Sequence, residues 1–332
     1  LDRKWEVIIG GDCMKQQHFV WKDAKQIDHY VYSWLPDEST PIEGIVQISH
    51  GMSETAARYE RLAALLTRHG YAVYANDHLG HGRTAGTPDK VGKFDKHSFL
   101  RMVQNMGGLT THIRTLYPQS TPMFVLGHSM GSFLTQHYMV SYLNEHPEHI
   151  QGIVLSGSNG KEGLALQAGI AVATMEAAFR GDHHRSKLLT SLSFGTFNKK
   201  YAPNRTSFDW LSRDTTEVDA YIADPYCGVT FTSGYFRDFF KGLKDIHRPE
   251  HVKLIRKELP ILVLSGDEDP VGGHGKGIRK LLTMYQSLGI HNVSSKLYPG
   301  GRHEMLNELN REEVMQDICQ WLDQQKNQVK RD

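Results

Sequence analysis

Short apolar runs alternate with longer amphipathic segments along most of this chain. Gln17-His18-Phe19-Val20-Trp21 and His29-Tyr30-Val31-Tyr32-Ser33-Trp34 switch between polar and apolar residues. That period of two predicts an antiparallel hairpin at a sheet edge. Gly44-Ile45-Val46-Gln47-Ile48-Ser49 is a more continuous apolar run, expected of a parallel strand buried on both faces. The same signature recurs at 71–75, 123–126, 153–156 and 261–265, with a final strand at 293–298. Helical spacing fills the intervals at 58–69, 98–116 and 132–140, and again from about 312 to 325. Strands separated by helical crossovers predict an α/β fold, a mostly parallel sheet with helices on both faces.

The rhythm breaks between about 159 and 258. That stretch is far longer than a crossover needs, and its helical patches at 164–179, 186–192 and 235–245 bracket no clear core strand. Residues 159–224 are expected to form an inserted helical cap over the C-terminal strand edge, where ligands bind in open α/β sheets. Residues 1–158 and 225–332 would form the core. Leu164, Leu166, Ile170, Val172, Met175 and Phe179 would either line a substrate pocket or hold the cap together. Met175 and Phe179 are the two taken as substrate-binding positions.

The 332 residues suit one large domain with an insertion, and 39% hydrophobic with 23% charged residues is ordinary globular composition. A net charge of +1 without long like-charge blocks gives no electrostatic case for a nucleic-acid partner. No apolar run approaches the ~20 residues that span a bilayer. Membrane contact is therefore expected only as a transient touch of the cap on a surface. Leu1-Asp2-Arg3-Lys4-Trp5-Glu6 has no apolar segment after its charges, so no signal peptide is read there. Cys13, Cys227 and Cys319 are far apart and odd in number, which points to reduced thiols in a cytoplasmic protein. Their spacing suits no metal, and neither a metal nor a cofactor is predicted.

Gly127-His128-Ser129-Met130-Gly131 lies between a strand and a helix. G-x-S-x-G at such a junction reads as a sharp turn that exposes a nucleophilic serine, with the glycines leaving room for the crossing. A serine hydroxyl needs a base, and the base needs an orienting acid. Both should follow Ser129, each just beyond a late strand. After the strand at 261–265 come Asp267, Glu268 and Asp269; Asp269 lies furthest into the loop, with Asp267 next in order. After the strand at 293–298 come Pro299-Gly300-Gly301-Arg302-His303, and the glycines let His303 reach back over the sheet. His274 also follows the acid, but it opens a helix. The backbone N–H groups of Met52 and Met130 are the expected oxyanion donors. His50 would brace their loop.

The motifs His50-Gly51-Met52 with Glu54 and Arg58-Tyr59, Asn76-Asp77-His78 with Gly80-His81-Gly82, the elbow, Gly266-Asp267-Glu268-Asp269 and His303 occur in that order. Together they resemble the monoacylglycerol lipase and lysophospholipase branch of the α/β-hydrolases, the group also called serine aminopeptidase-like. The likeness runs from about Tyr30 to Trp321. It implies Ser129, Asp269 and His303 as a triad, Met52 and Met130 as oxyanion donors, and a cap between about Ser158 and Tyr226. Thr55 stands where the family commonly has His, which touches loop bracing more than chemistry. The implied activity is hydrolysis of small acyl esters with one chain. Acyl transfer to an alcohol is a related outcome. A prolyl-type aminopeptidase would need carboxylates for a substrate amine, with Glu162, Glu176 and Glu217 available. A non-catalytic binding module on the same scaffold would usually lack a triad member.

Overall fold

A computed structural model describes residues 6–10, 14–94, 96–161 and 163–329; the N-terminal residues read above up to Trp5, with Cys13 and Glu162, lie outside them. Strands β1 (Glu6–Gly10), β2 (Met14–Lys22) and β3 (Asp28–Pro36) form an antiparallel ribbon. The predicted hairpin is therefore present and is extended outward by a third strand that the pattern does not announce. Next come β4 (Gly44–Ser49), α1 (Glu60–Arg68), β5 (Tyr71–Asn76), α2 (Ser98–Arg114) and β6 (Met123–His128). Helices α3 (Met130–Val140) and α4 (Tyr142–Glu145) lead to β7 (Gly152–Ser156). After a long stretch of helices come β8 (Ile261–Gly266), α10 (Lys276–Ser287), β9 (Val293–Tyr298) and α11 (Arg311–Val329).

The nine strands lie in the order β1-β2-β3-β5-β4-β6-β7-β8-β9. From β5 to β9 every pairing is parallel, while β3 meets β5 antiparallel. The central strands divide their residues by parity between two cores. Ile45, Val125, Ile153, Leu155 and Val263 face one, with helices α2, α3 and α10 supplying Met106, Leu134 and Leu281. Val46, Ile48, Phe124, Leu126, Val154, Leu262 and Leu264 face the other, met by Leu62 and Leu66 of α1 and Ile318 and Leu322 of α11. Both faces are covered, which is why these strands read as continuous apolar runs instead of alternating ones. This is the α/β-hydrolase arrangement.

The segment between β7 and β8 holds α5 (Leu164–Arg180), α6 (Lys187–Phe194), α7 (Thr215–Ala223), α8 (Ser233–Asp245) and α9 (Pro249–Val252). Helix α8 packs on α2 and α3 and so belongs to the layer over the sheet, while α5 lies on α8. Residues 197–227 build a small aromatic core of their own around Trp210, Leu211 and Tyr221. No described helix is long and apolar enough to cross a membrane. Cys227 and Cys319 are buried free thiols.

Candidate active site

Strand β6 sits in the middle of the sheet and turns into α3 at Ser129, whose φ of 52° lies in the left-handed region. An L-residue held there costs on the order of 1–3 kcal/mol and persists only where its surroundings enforce it. The enforcement is steric. A Cβ at Gly131 would stand 1.9 Å from the Ser49 carbonyl oxygen, and one at Gly127 would stand 2.4 Å from Thr135 Oγ1. The two glycines therefore let the elbow press against β4 and its own helix. Ser129 N–H donates to the Ser156 carbonyl on β7 at 2.9 Å, which pins the turn from the other side.

Strands β8 and β9 end beside each other, and their loops touch closely: a Cβ at Gly266 would meet the Gly301 oxygen at 1.9 Å. That contact brings together residues distant in sequence. His303 Nδ1 lies 3.0 and 3.1 Å from the two Asp269 carboxylate oxygens, and its Nε2 lies 2.8 Å from Ser129 Oγ. A carboxylate only accepts, so Nδ1 carries the proton and the Nε2 lone pair is left for the serine hydroxyl. Asp269 is fully buried; its oxygens also accept from Val271 N–H at 2.8 Å and Ser265 Oγ at 3.3 Å. Burial pushes the Asp269 carboxyl upward in pKa, but the His303 ring and these donors outweigh it and hold it below the ordinary carboxylate range. Burial likewise pushes the His303 imidazole down, and the Asp269 charge and hydrogen bond overcome that, raising it above the usual histidine value.

The other candidates in the two loops have different tasks. Asp267 accepts the Gly300 N–H at 2.7 Å and so braces the β9 loop. Glu268 pairs with Lys200 on the far side. The His274 ring approaches the Glu268 carbonyl at 3.1 Å, on the outward side of the acid loop. Of the three acids and two histidines weighed from sequence, the structure brings Asp269 and His303 to Ser129.

Met130 is the first residue of α3, so its N–H belongs to the free donors at a helix start. Met52 lies in the loop after β4, the strand paired directly with β6. His50 accepts the His78 N–H at Nε2 (2.9 Å), which leaves its Nδ1 proton for the Gly51 carbonyl at 2.8 Å. It is a brace, as expected, and burial lowers its pKa to about 4. Thr55 is buried, and its carbonyl accepts the Arg58 N–H at 3.3 Å, so bracing at that position runs through the backbone. Ser53 holds the loop from above. Its φ is 62°, its carbonyl accepts from Tyr221 Oη at 3.0 Å and Gly228 N–H at 3.1 Å, and its Oγ accepts from Val229 N–H at 2.6 Å.

Three further participants take roles that the sequence does not show. Trp210, from the segment between β7 and β8, sets its ring 5.1 Å from that of His303, tilted by 36°, and His303 is buried. Glu304 N–H donates to the Leu211 carbonyl at 2.8 Å, so that segment holds the loop that carries His303. The third is Arg58, which sits between the buried carboxylates of Glu54 and Glu304. The carboxyl immediately after His303 and the acid four residues before Arg58 are the signals in the sequence.

Met175 and Phe179 are 54% and 87% exposed on α5, where they form part of an outer apolar face. Helix α5 is largely apolar and packs on α8; it buries the small residues Ala173 and Ala177, half-buries Leu166, Ile170 and Val172, and leaves Leu164, Met175 and Phe179 out. Leu188 and Leu192 are exposed as well. Glu176 is engaged by Ser186 and His184, and Glu217 by Arg61 at 2.7 Å.

Residues 40–310 match the family described as serine aminopeptidase, S33. A monoacylglycerol lipase of Mycolicibacterium smegmatis is 30% identical over 294 residues, covering 87% of this chain and 90% of that protein. Human monoglyceride lipase is 29% identical, with 92% and 90% covered. A thermostable carboxyl esterase of Bacillus coagulans superposes with a TM-score of 0.83 at 27% identity, over 94% of this chain and 99% of the other. With an elbow, a buried acid and a histidine set on an α/β-hydrolase sheet, and with the match spanning most of its length, this chain belongs to the serine aminopeptidase, S33 family, in the branch that resembles monoacylglycerol lipases and lysophospholipases.

Proposed function

We propose that the protein is a serine hydrolase that cleaves carboxylic esters bearing a single acyl chain. The observation that carries this reading is the continuous hydrogen-bonded line from Ser129 Oγ through His303 to Asp269, set on a strained elbow. In the proposed reaction Ser129 Oγ attacks the ester carbonyl while its proton passes to His303 Nε2. Asp269 holds the ring in the required tautomer and stabilises the imidazolium. The N–H groups of Met52 and Met130 receive the oxyanion. Collapse of the tetrahedral adduct expels the alcohol, which takes the proton from His303. Water, deprotonated by the same ring, then releases the acid and restores Ser129. Serine, base, acid and water account for every atom moved.

We assign residues 159–224 as the cap over this site. The exposed apolar side chains of α5 and α6 fit an acyl tail or a lipid surface, since each methylene buried is worth ~0.8 kcal/mol. The names of the bacterial and human relatives point to the same substrate class. The pairing of Glu176 and Glu217 with other residues weighs against an amine-binding aminopeptidase site. Two buried free thiols agree with a reducing, cytoplasmic setting.

A fluorophosphonate probe tests the nucleophile, and a panel of p-nitrophenyl esters of rising chain length, monoacylglycerols, lysophosphatidylcholine and a prolyl amide tests the substrate. Labelling of Ser129 and specificity constants that climb over several methylenes are expected. No labelling, or a flat chain-length response with efficient prolyl amide cleavage, overturns the reading.

A further inference from the structure

Glu304 follows His303 directly and is almost fully buried, yet it is ionic. Its two carboxylate oxygens each take one Arg58 guanidinium N–H at 2.6 Å, and Asn307 Nδ2 donates to it at 3.0 Å. The same Arg58 donates to Glu54 Oε2 at 2.8 Å. The other Glu54 oxygen accepts from Tyr59 Oη at 2.9 Å and from the backbone N–H of Gly51. The line thus runs from the residue after His303 to the residue before Met52, joining loops that are 246 positions apart in the chain.

We propose that Glu304 is a positioning residue, which through Arg58 and Glu54 fixes the loop of the base relative to the loop of the oxyanion donor. The inference rests on the serine hydrolase reading above. A well-packed apolar cluster would be as stable as a buried ion network, or more so, so stability alone gives no reason for one here. Planar two-pronged geometry offers what apolar packing lacks, a defined distance and angle between the two loops. The network also has an electrostatic surplus: two carboxylates share one guanidinium, which leaves a net negative charge beside His303. The other groups facing that ring are Asp269, Ser129 and His128, and His128 is kept neutral by burial at a pKa of about 4. The Trp210 ring lies 5.1 Å from the same imidazole. The surplus charge therefore falls where the imidazolium forms.

The test is Glu304→Gln, assayed on a p-nitrophenyl ester across pH. A misplacement of about 1 Å costs on the order of 10²-fold in rate. The expectation is a kcat reduced by about 10- to 100-fold with KM within about two-fold. The acid limb of kcat/KM moves to lower pH, because the charge favouring the protonated ring is gone. Glu304→Asp, which keeps that charge, should leave the limb where it is in the unmodified protein. An unmoved limb or an unmoved kcat in Glu304→Gln overturns the assignment. Should that variant fail to fold, Arg58→Lys serves instead: it keeps the charge and loses the two-pronged bridge, so kcat should drop with the limb in place, and full kcat sinks the proposal. Fluorophosphonate labelling of the unmodified protein separates the two levels. If it does not label, the hydrolase reading has failed; if it labels and turns over ester while Glu304→Gln behaves like it, only this inference has failed.

Discussion

At the scale of single residues, Ser129 holds a backbone conformation that its own side chain disfavours. Replacing it should expose that tension. Ser129→Ala removes the proposed nucleophile and keeps the strained φ, so ester turnover should drop on the order of 10⁴-fold or more while the melting temperature stays near its original value. Ser129→Gly should be equally inactive but more stable than the alanine variant by about 1 kcal/mol, because glycine accepts the conformation freely. Comparing the two melting curves checks this, and equal stability would mean that the elbow is not under load. The acid loop offers a second contrast. Asp269→Asn should cripple turnover by leaving His303 in the wrong tautomer, whereas Asp267→Asn alters only a brace to Gly300 and should cost little. A pH series adds a third. As the proposed base His303 would work only when neutral, and against the lowering effect of burial its pKa is raised by Asp269, so the acid limb of kcat/KM should lie above the ~6.5 of a free imidazole. A limb well below that value would take His303 out of the base role.

Elements differ in how openly the sequence declares them. Strands β4 to β8 are legible because burial on both faces removes polar positions, and the elbow is legible because its glycines are demanded locally. The face of α5 is not. It is largely apolar, so periodicity gives no direction, and packing on α8 selects the alanines. Helix α7 begins with a polar turn capped by Asp214, which accepts from Thr216 N–H, and its pattern is correspondingly faint. Strand β1 depends on a partner that only the folded ribbon supplies. Long ion lines such as that through Arg58 have no period at all, because they join loops far apart. Glycines bring the element scale to a measurement. Gly131→Ala would drive a methyl into the Ser49 carbonyl and should leave little soluble, folded protein. Gly169→Ala sits inside α5, meets Phe240 no closer than 3.4 Å, and should gain up to ~1 kcal/mol from helix propensity. Opposite shifts in thermal melting are expected for the same substitution.

Over the whole molecule, burial keeps several imidazoles neutral: His50 and His128 at about 4, with His78 and His81 also held well below the ordinary value. In the unfolded chain these rings take protons below ~6.5, and in the folded one they resist until far lower pH. Unfolding therefore binds protons across that window, and stability falls as pH drops from about 6.5 toward 4. His29, His137, His149 and His247 are lowered as well, so His303, with its raised value, works the other way but is one ring against eight. A urea midpoint that declines steadily from pH 7 to pH 4.5 is expected, and a flat profile would contradict the buried neutral assignment. Glu304, drawn down to about 2 chiefly by Arg58 against the upward pull of burial, extends the loss to lower pH still. The distance along the chain between Ser129 and His303, 174 positions, has one more consequence. The strand bearing the serine can pair with its neighbours long before β9 arrives, but the serine acquires its partner only when the last strand has docked. On the proposed mechanism, nucleophilicity is thus a clock for the docking of β9. In a refolding experiment, spectroscopic signals of the sheet and its helices should appear first, and capture of a fluorophosphonate should mark the moment at which the C-terminal strand closes the molecule.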